Sequence, residues 1–208
     1  SYEQLDDMSS RFGNNFFVFY PRILVNNFEN MRSAFSQFFD FKIGYSFKTN
    51  YTPYVVKVLC ELGAVPEIVS EFEFDLVKCL NLKTDMVIVN GPIKTEGLFN
   101  ALQAYKEGII NIESLSDLQL AKRVQKEINY GIRCNFGDNL PTGKKSRFGI
   151  DVNSVVFDKC LDYFGENNRK FGLHVHLPMR DLKSFEARAL KLKELILERE
   201  LKLEFLNL

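Results

Sequence analysis

The sequence lacks the features typical of a nucleic-acid-binding or membrane-spanning protein. Its 208 residues include 27 Lys+Arg and 27 Asp+Glu, so the formal net charge is zero. Nucleic acids and acidic membrane surfaces usually bind basic proteins, and this balance argues against both partners. No apolar run reaches the roughly 20 residues that cross a bilayer, and no charged and then apolar leader opens the chain. We therefore expect no nucleic acid and no membrane among the partners.

Cysteine and histidine are also scarce. The four cysteines are far apart and show no C-x-x-C spacing: Cys60, Cys79, Cys134 and Cys160. This spacing favours reduced thiols in a cytoplasmic protein over a disulfide framework. His174 and His176 form an H-x-H pair, which is half of a metal site, but the chain has no further histidine to complete it. Carboxylates alone would have to do so, and we predict no metal.

Strand-like and helix-like patterns alternate along the chain, as in α/β proteins. Strands are predicted at 41–48, 65–70, 86–90, 109–113, 130–135, 171–177 and 203–208. Helices are predicted at about 22–36, 53–62, 71–80, 95–107, 116–128, 154–164 and 182–199. Repeated β-α units imply a parallel sheet, because each crossover needs a helix.

One face of several strands is bulky and apolar, whereas the other begins with glycine and ends with a polar group. The polar groups are Lys48, Arg133 and His176. A doubly wound sheet is apolar on both faces, whereas a (β/α)8 TIM-type barrel has a cramped interior and binds ligands at the carboxyl ends of its strands. We therefore predict the barrel. Seven strands do not close it, so the barrel is expected to be incomplete at the C-terminus: a fragment, or a chain that another segment completes.

A lysine at a barrel mouth suggests carbonyl chemistry. Among apolar groups the Lys48 amine would lose hydration, its pKa would fall, and it could form a Schiff base with an aldehyde such as pyridoxal phosphate. Two plainer interpretations stay open: Lys48 reaches solvent along its apolar stem, and Arg133 forms a buried hydrogen-bonded pair with Asn135. GKKS at 143–146 is not a phosphate loop, because Asp138 stands where the motif needs glycine.

Eight short motifs give the chain a resemblance to a known family. They are GYSFKTN at 44–50, LGAVPEIVSEFE at 62–73, NGPIK at 90–94, INIES at 110–114, IRCN at 132–135, SRFGI at 146–150, GLHVH at 172–176 and LEFLNL at 203–208. In order and spacing the sequence from residue 16 to residue 208 resembles the fold-type III pyridoxal-phosphate decarboxylases, the group of diaminopimelate, ornithine and carboxynorspermidine decarboxylases. Alanine racemases share the barrel and the lysine, but the run TNYTPYV after the lysine is closer to the decarboxylases.

The resemblance implies roles for individual residues. Lys48 would be the catalytic residue that holds pyridoxal phosphate as a Schiff base. Arg133 would lie near the phenolate oxygen of the cofactor, and His176 would stack on its pyridine ring. Glu67 falls on a family position that is usually aspartate, and Glu73 on a further family position; we count Glu67 among the cofactor-binding residues.

The resemblance also implies an activity and a domain organisation. Residues 1–20 would pack on a C-terminal β-domain, and residues 21–208 would form the cofactor-binding barrel without its last strand and without the β-domain. The activity would be decarboxylation of a diaminopimelate- or ornithine-like amino acid by a homodimer with shared active sites, and this portion alone would be inactive. The alternative is a single-barrel protein that binds pyridoxal phosphate without decarboxylating anything. LPMR at 177–180 departs from the family's I-G-S-Q, which implies unusual substrate recognition.

Overall fold

The computed structural model describes residues 1–38, 40–124, 128–137, 146–176 and 181–208. The LPMR segment and residues 143–145 of GKKS lie outside these ranges. The chain divides into two compact units, Ser1–Phe41 and Lys42–Leu208.

The first unit contains two helices, α1 (Tyr2–Phe12) and α2 (Pro21–Ser36). Helix α2 confirms the predicted helix at 22–36, and it begins with proline, whose missing N–H costs nothing in the first turn. Helix α1 was not predicted. Its sequence signal is the capping box in which the Ser1 hydroxyl accepts from the backbone N–H of Gln4 and the Gln4 side chain accepts in return.

The second unit is a parallel sheet with helices between the strands, which confirms the predicted α/β architecture of an incomplete barrel. Its strands are β1 (Gly44–Ser46), β2 (Val65–Ile68), β3 (Ile88–Val89), β4 (Ile109–Ile112), β5 (Asn129–Asn135), β6 (Ile150–Asp151), β7 (Phe171–Val175) and β8 (Leu203–Asn207). Its helices are α3 (Pro53–Glu61), α4 (Glu71–Cys79), α5 (Glu96–Leu102), α6 (Leu115–Val124), α7 (Val155–Glu166) and α8 (Leu182–Glu198). The strands are hydrogen-bonded in the order β1-β2-β3-β4-β5-β7-β8, and β6 pairs with β5.

All seven predicted strands are present, and β6 is an eighth that the sequence did not reveal. It has two residues, too few to show an alternating pattern. Cys134 of β5 pairs with Ile150 of β6 on one edge and with Val175 of β7 on the other. Strand β5 pairs with β4 only as far as Ile132, and β6 pairs with the last two residues of β5 beyond that point.

The two faces of the sheet have the different compositions that the sequence predicts. The bulky residues of β5 and β7, such as Tyr130 and Leu173, belong to the main hydrophobic core together with Phe157 and Phe164 of α7. The opposite face carries glycine early in these strands. A methyl group added at Gly172 would lie 2.4 Å from the ring of Phe205, so this aromatic ring occupies the space that the missing side chain leaves.

We expect Gly172→Ala to destabilise the protein by about 1–3 kcal/mol, because the added methyl group overpacks the site beside Phe205. Urea unfolding measures the effect. The matched control is Gly165→Ala in α7, where the added methyl group meets nothing within 4 Å, and a helical alanine is expected to be neutral or stabilising. Equal stability of the Gly172 variant and the unsubstituted protein would contradict the close approach of Phe205.

Candidate functional site

Lys48 lies just past the carboxyl end of β1. The strand ends at Ser46, and residues Phe47–Thr49 form a 3₁₀ turn that Phe47 anchors in the core with no exposed surface. The prediction that the strand continues to residue 48 is therefore wrong. The expectation of a poorly hydrated amine is also wrong for this chain: Lys48 is exposed, because the turn carries it beyond the strand residues that would have flanked it.

Two carboxyl groups of the β2–α4 region lie near this lysine. Glu67 of β2 is the direct neighbour of Ser46 in the sheet. Glu73 of α4 accepts a hydrogen bond of 2.7 Å from the backbone N–H of Val69. Burial raises the pKa of Glu73, and the negative charge of Glu67 raises it further. The hydrogen bond from Val69 and the positive charge of Lys48 lower the same pKa and so oppose the shift. Lys48 and Glu67 are thus both within electrostatic range of the buried Glu73.

Arg133 of β5 is buried and held by a carboxylate. One terminal nitrogen (Nη1) donates to Glu113 Oε2 at 2.9 Å, and the guanidinium carbon lies 5.1 Å from the ring centre of Phe148. The alternative pairing with Asn135 is wrong, because the Asn135 amide oxygen accepts from the backbone N–H of Gly137 at 2.9 Å and its nitrogen donates to the carbonyl of Ser146 at 2.9 Å. Arg133 therefore reaches across to the end of β4, where Glu113 follows the last strand residue.

A second buried cation lies on the other side of Glu113. Lys94 Nζ donates to the carbonyl of Gly91 at 2.6 Å and to Asp117 Oδ2 at 2.9 Å, and it lies 3.5 Å from Glu113 Oε1. Asp117 Oδ2 also accepts from the backbone N–H of Glu113 at 3.0 Å. Sequence reasoning missed this ion-pair cluster. Its only signal was charged groups in NGPIK and INIES, next to strands that are otherwise apolar.

The strand face opposite the helices contains polar side chains with unused hydrogen-bonding capacity. Asn111 donates to Asn90 Oδ1 at 2.7 Å, which fixes two amides side by side. Ser46 Oγ, Asn111 Oδ1, Arg133 Nε and Asn207 Nδ2 are buried and have no hydrogen-bond partner in the described part of the chain. Buried polar atoms nearly always have partners, so these four atoms are the candidates on this face for contact with water or a polar ligand.

His174 is a buried neutral imidazole. It pairs in the sheet with Arg133, and its Nδ1 lies 3.3 Å from the carbonyl oxygen of Asn207. A carbonyl only accepts, so Nδ1 carries the proton. The pKa of His174 is lowered to about 3, mainly by burial and further by the nearby charges of Arg133 and His176, while the hydrogen bonds with Asn207 oppose the shift.

His176 is exposed, one residue beyond the end of β7. It lines a small crevice together with Cys134, Asn135, Phe136, Ser146, Phe148 and Arg188. The crevice therefore brings the second histidine to the carboxyl end of β5, the strand that carries Arg133.

The candidate residues thus form two groups on one sheet. Lys48 and Glu67 lie at the ends of β1 and β2, and Arg133 and His176 lie at the ends of β5 and β7. Because all these strands are parallel, every one of these residues lies at the same edge of the sheet, the one formed by the carboxyl ends of the strands.

The described ranges contain neither a metal-binding cluster nor a membrane-spanning helix. These ranges contain no group of three or more His, Cys, Asp or Glu side chains arranged to hold a metal ion. They contain no helix that is both long and apolar enough to cross a bilayer. All four cysteines lie in these ranges and are free thiols.

Comparison with known proteins gives consistent matches. Residues 22–205 match the family described as "Pyridoxal-dependent decarboxylase, pyridoxal binding domain". Diaminopimelate decarboxylase of Aquifex aeolicus is 30% identical over 186 residues, which are 83% of this chain and 43% of that protein. Diaminopimelate decarboxylase of Methanocaldococcus jannaschii is 25% identical over 213 residues, with 92% of this chain and 48% of that protein covered.

The fold also matches a solved structure. The crystal structure of the Methanocaldococcus jannaschii diaminopimelate decarboxylase superimposes with a TM-score of 0.80 at 23% identity, covering 97% of this chain and 52% of that one. The chain spans about half the length of the proteins it matches. The family match covers most of the chain and confirms the resemblance seen in the motifs: the chain belongs to the pyridoxal-dependent decarboxylases, over their pyridoxal-binding domain, and pyridoxal phosphate is the cofactor of this family.

Proposed function

We propose that this chain forms the cofactor-binding barrel portion of a pyridoxal-phosphate-dependent amino-acid decarboxylase, with the cofactor bound covalently to Lys48. The observation that carries the proposal is the arrangement of one lysine, one buried arginine and one exposed histidine at the same edge of a parallel sheet. The match to the pyridoxal-binding domain of the family supports it.

The residues at this edge fit the cofactor. Arg133 has a buried Nε without a partner in the described part of the chain, which suits an anionic oxygen such as the cofactor's phenolate. Ser46, two residues before Lys48, provides a further buried polar atom, Oγ, that has no partner in the described part of the chain. His176 is exposed and planar, as a side chain that stacks on a pyridine ring must be. When bound, pyridoxal phosphate withdraws electrons from the substrate's α-carbon, so that the carboxylate leaves as CO2.

The amine of Lys48 needs to lose a proton before it attacks an aldehyde. Its exposure gives the cofactor access to Nζ. Glu67 and Glu73 lie on the adjacent elements, and Glu73 is within electrostatic range of Lys48. In the proposed site Glu73 takes up the proton that the ammonium group releases, and Glu67 lies beside the bound cofactor.

We propose a diaminopimelate- or ornithine-like amino acid as the substrate and a cytoplasmic homodimer as the active form. The two relatives described above are diaminopimelate decarboxylases, which supports the first substrate over the second. The chain covers less than half of either relative, so the rest of the catalytic apparatus is assigned to sequence outside these 208 residues.

The test is a decarboxylation assay on the protein expressed from its complete reading frame. We expect CO2 and the corresponding amine from diaminopimelate, measured by mass spectrometry, and no turnover after hydroxylamine has stripped the cofactor until pyridoxal phosphate is restored. Protein that binds the cofactor but releases CO2 from none of diaminopimelate, ornithine or lysine would be a binding protein instead. Protein that binds no pyridoxal phosphate would refute the proposal altogether.

A further inference from the structure

We propose that Glu113 is a positioning residue that fixes the guanidinium group of Arg133 toward the cofactor, and that Lys94 offsets the charge of Glu113. The inference rests on the proposed function, because Arg133 has a ligand to face only if pyridoxal phosphate binds at this edge.

The two oxygens of Glu113 are divided between two cations. Oε2 accepts from Arg133 at 2.9 Å, and Oε1 lies 3.5 Å from the amine of Lys94. Side-chain exposure is very low throughout: 0% for Lys94, 3% for Glu113, 4% for Asp117 and 7% for Arg133. The guanidinium group cannot turn away without leaving a buried carboxylate oxygen unpaired, which is strongly unfavourable.

The position of Lys94 is fixed by a backbone turn at Gly91 as well as by the two carboxylates. Gly91 has a backbone φ of +98°, and a methyl group added there would lie 2.7 Å from the carbonyl oxygen of Val69. Only glycine fits this turn, and its carbonyl accepts from Lys94. With Asp117 the cluster contains two cations and two carboxylates, so its charges balance.

The hydrogen-bonding pattern of Arg133 distinguishes this role from that of an ordinary buried ion pair. Glu113 binds only a terminal nitrogen, and Nε has no partner in the described part of the chain. His174, the neighbour of Arg133 in the sheet, is neutral at pH 7 and does not compete for the carboxylate. Glu113 therefore orients the guanidinium group and leaves donor capacity for an anionic ligand.

Two variants of the protein expressed from its complete reading frame separate positioning from charge balance. Glu113→Gln leaves an excess buried cation, so it should both lower the melting temperature and weaken the binding of pyridoxal phosphate. The double variant Lys94→Gln/Glu113→Gln restores neutrality, with Arg133 and Asp117 as the remaining pair. We expect it to recover most of the melting temperature while its Kd for pyridoxal phosphate, from absorbance titration, stays roughly tenfold weaker, because a neutral amide oxygen holds the guanidinium group less strongly than a carboxylate does.

Each result bears on a different part of the proposal. Recovery of both the melting temperature and the Kd in the double variant would overturn positioning and leave a structural ion pair. A double variant as unstable as Glu113→Gln would overturn the role of Lys94. Unsubstituted protein that binds no cofactor would instead refute the proposed function, and the inference with it.

Discussion

A Lys48→Ala variant is expected to lose covalently bound pyridoxal phosphate completely. Alanine has no amine to attack the aldehyde, and Lys48 is the lysine next to β1 at the edge that carries Arg133 and His176. The measurement is borohydride reduction of the protein expressed from its complete reading frame, followed by proteolysis and mass spectrometry of the pyridoxyl peptide. The visible absorbance of the bound cofactor should disappear in the same variant.

Two further variants show whether the loss reflects the nucleophile or the charge. Lys57→Ala removes an exposed lysine from α3 and should leave the labelled peptide unchanged. Lys48→Arg retains the positive charge that opposes the raised pKa of Glu73, yet it should also abolish labelling, because guanidinium does not form the covalent bond. Stoichiometric labelling of Lys48→Ala at any other lysine would contradict the assignment.

Acidification is expected to destabilise the folded chain through His174. Its pKa is about 3 in the folded state and about 6.5 in an unfolded chain. Between these values the unfolded state binds a proton that the folded state does not, so stability is complete above pH 6.5 and is lost as the pH falls toward 3. From pH 7 to pH 4 this amounts to roughly 3 kcal/mol for the one imidazole.

Urea unfolding at pH 7, 5.5 and 4 tests this expectation. His174→Asn keeps a donor for the Asn207 carbonyl and removes the titrating ring, so its stability should fall less steeply with acid than that of the unsubstituted chain. The matched control is His176→Gln, whose exposed side chain loses little hydration on folding and whose pH dependence should stay steep. Parallel curves for the His174 variant and the unsubstituted chain would show that His174 does not titrate as described.

The strands were predictable because their pattern is local. In β5, Tyr130 and Ile132 alternate with Gly131 and Arg133, and this period of two already separates the helix-facing side from the side with the polar groups. Strand β6 was not predictable, because a two-residue strand is defined by its hydrogen bonds to β5 and not by a pattern of its own.

The location of the candidate residues near strand ends was predictable, but their contacts were not. Motif spacing put Lys48, Arg133 and His176 at strand ends, and parallel pairing puts strand ends at one edge. The exposure of Lys48 depends on where β1 stops and the 3₁₀ turn begins, which hydrogen bonding within the folded sheet decides.

The sequence by itself determined the order of seven strands and of the helices between them, the face of several strands that carries polar groups, and the family. Only the tertiary structure decided that Arg133 pairs with Glu113 and not with Asn135, and that Lys94 completes the pair. These partners lie about twenty positions apart along the chain, on separate β/α units. Ion pairs of this kind depend on how neighbouring units pack and on the water that packing excludes, and neither is encoded in a local pattern of residues.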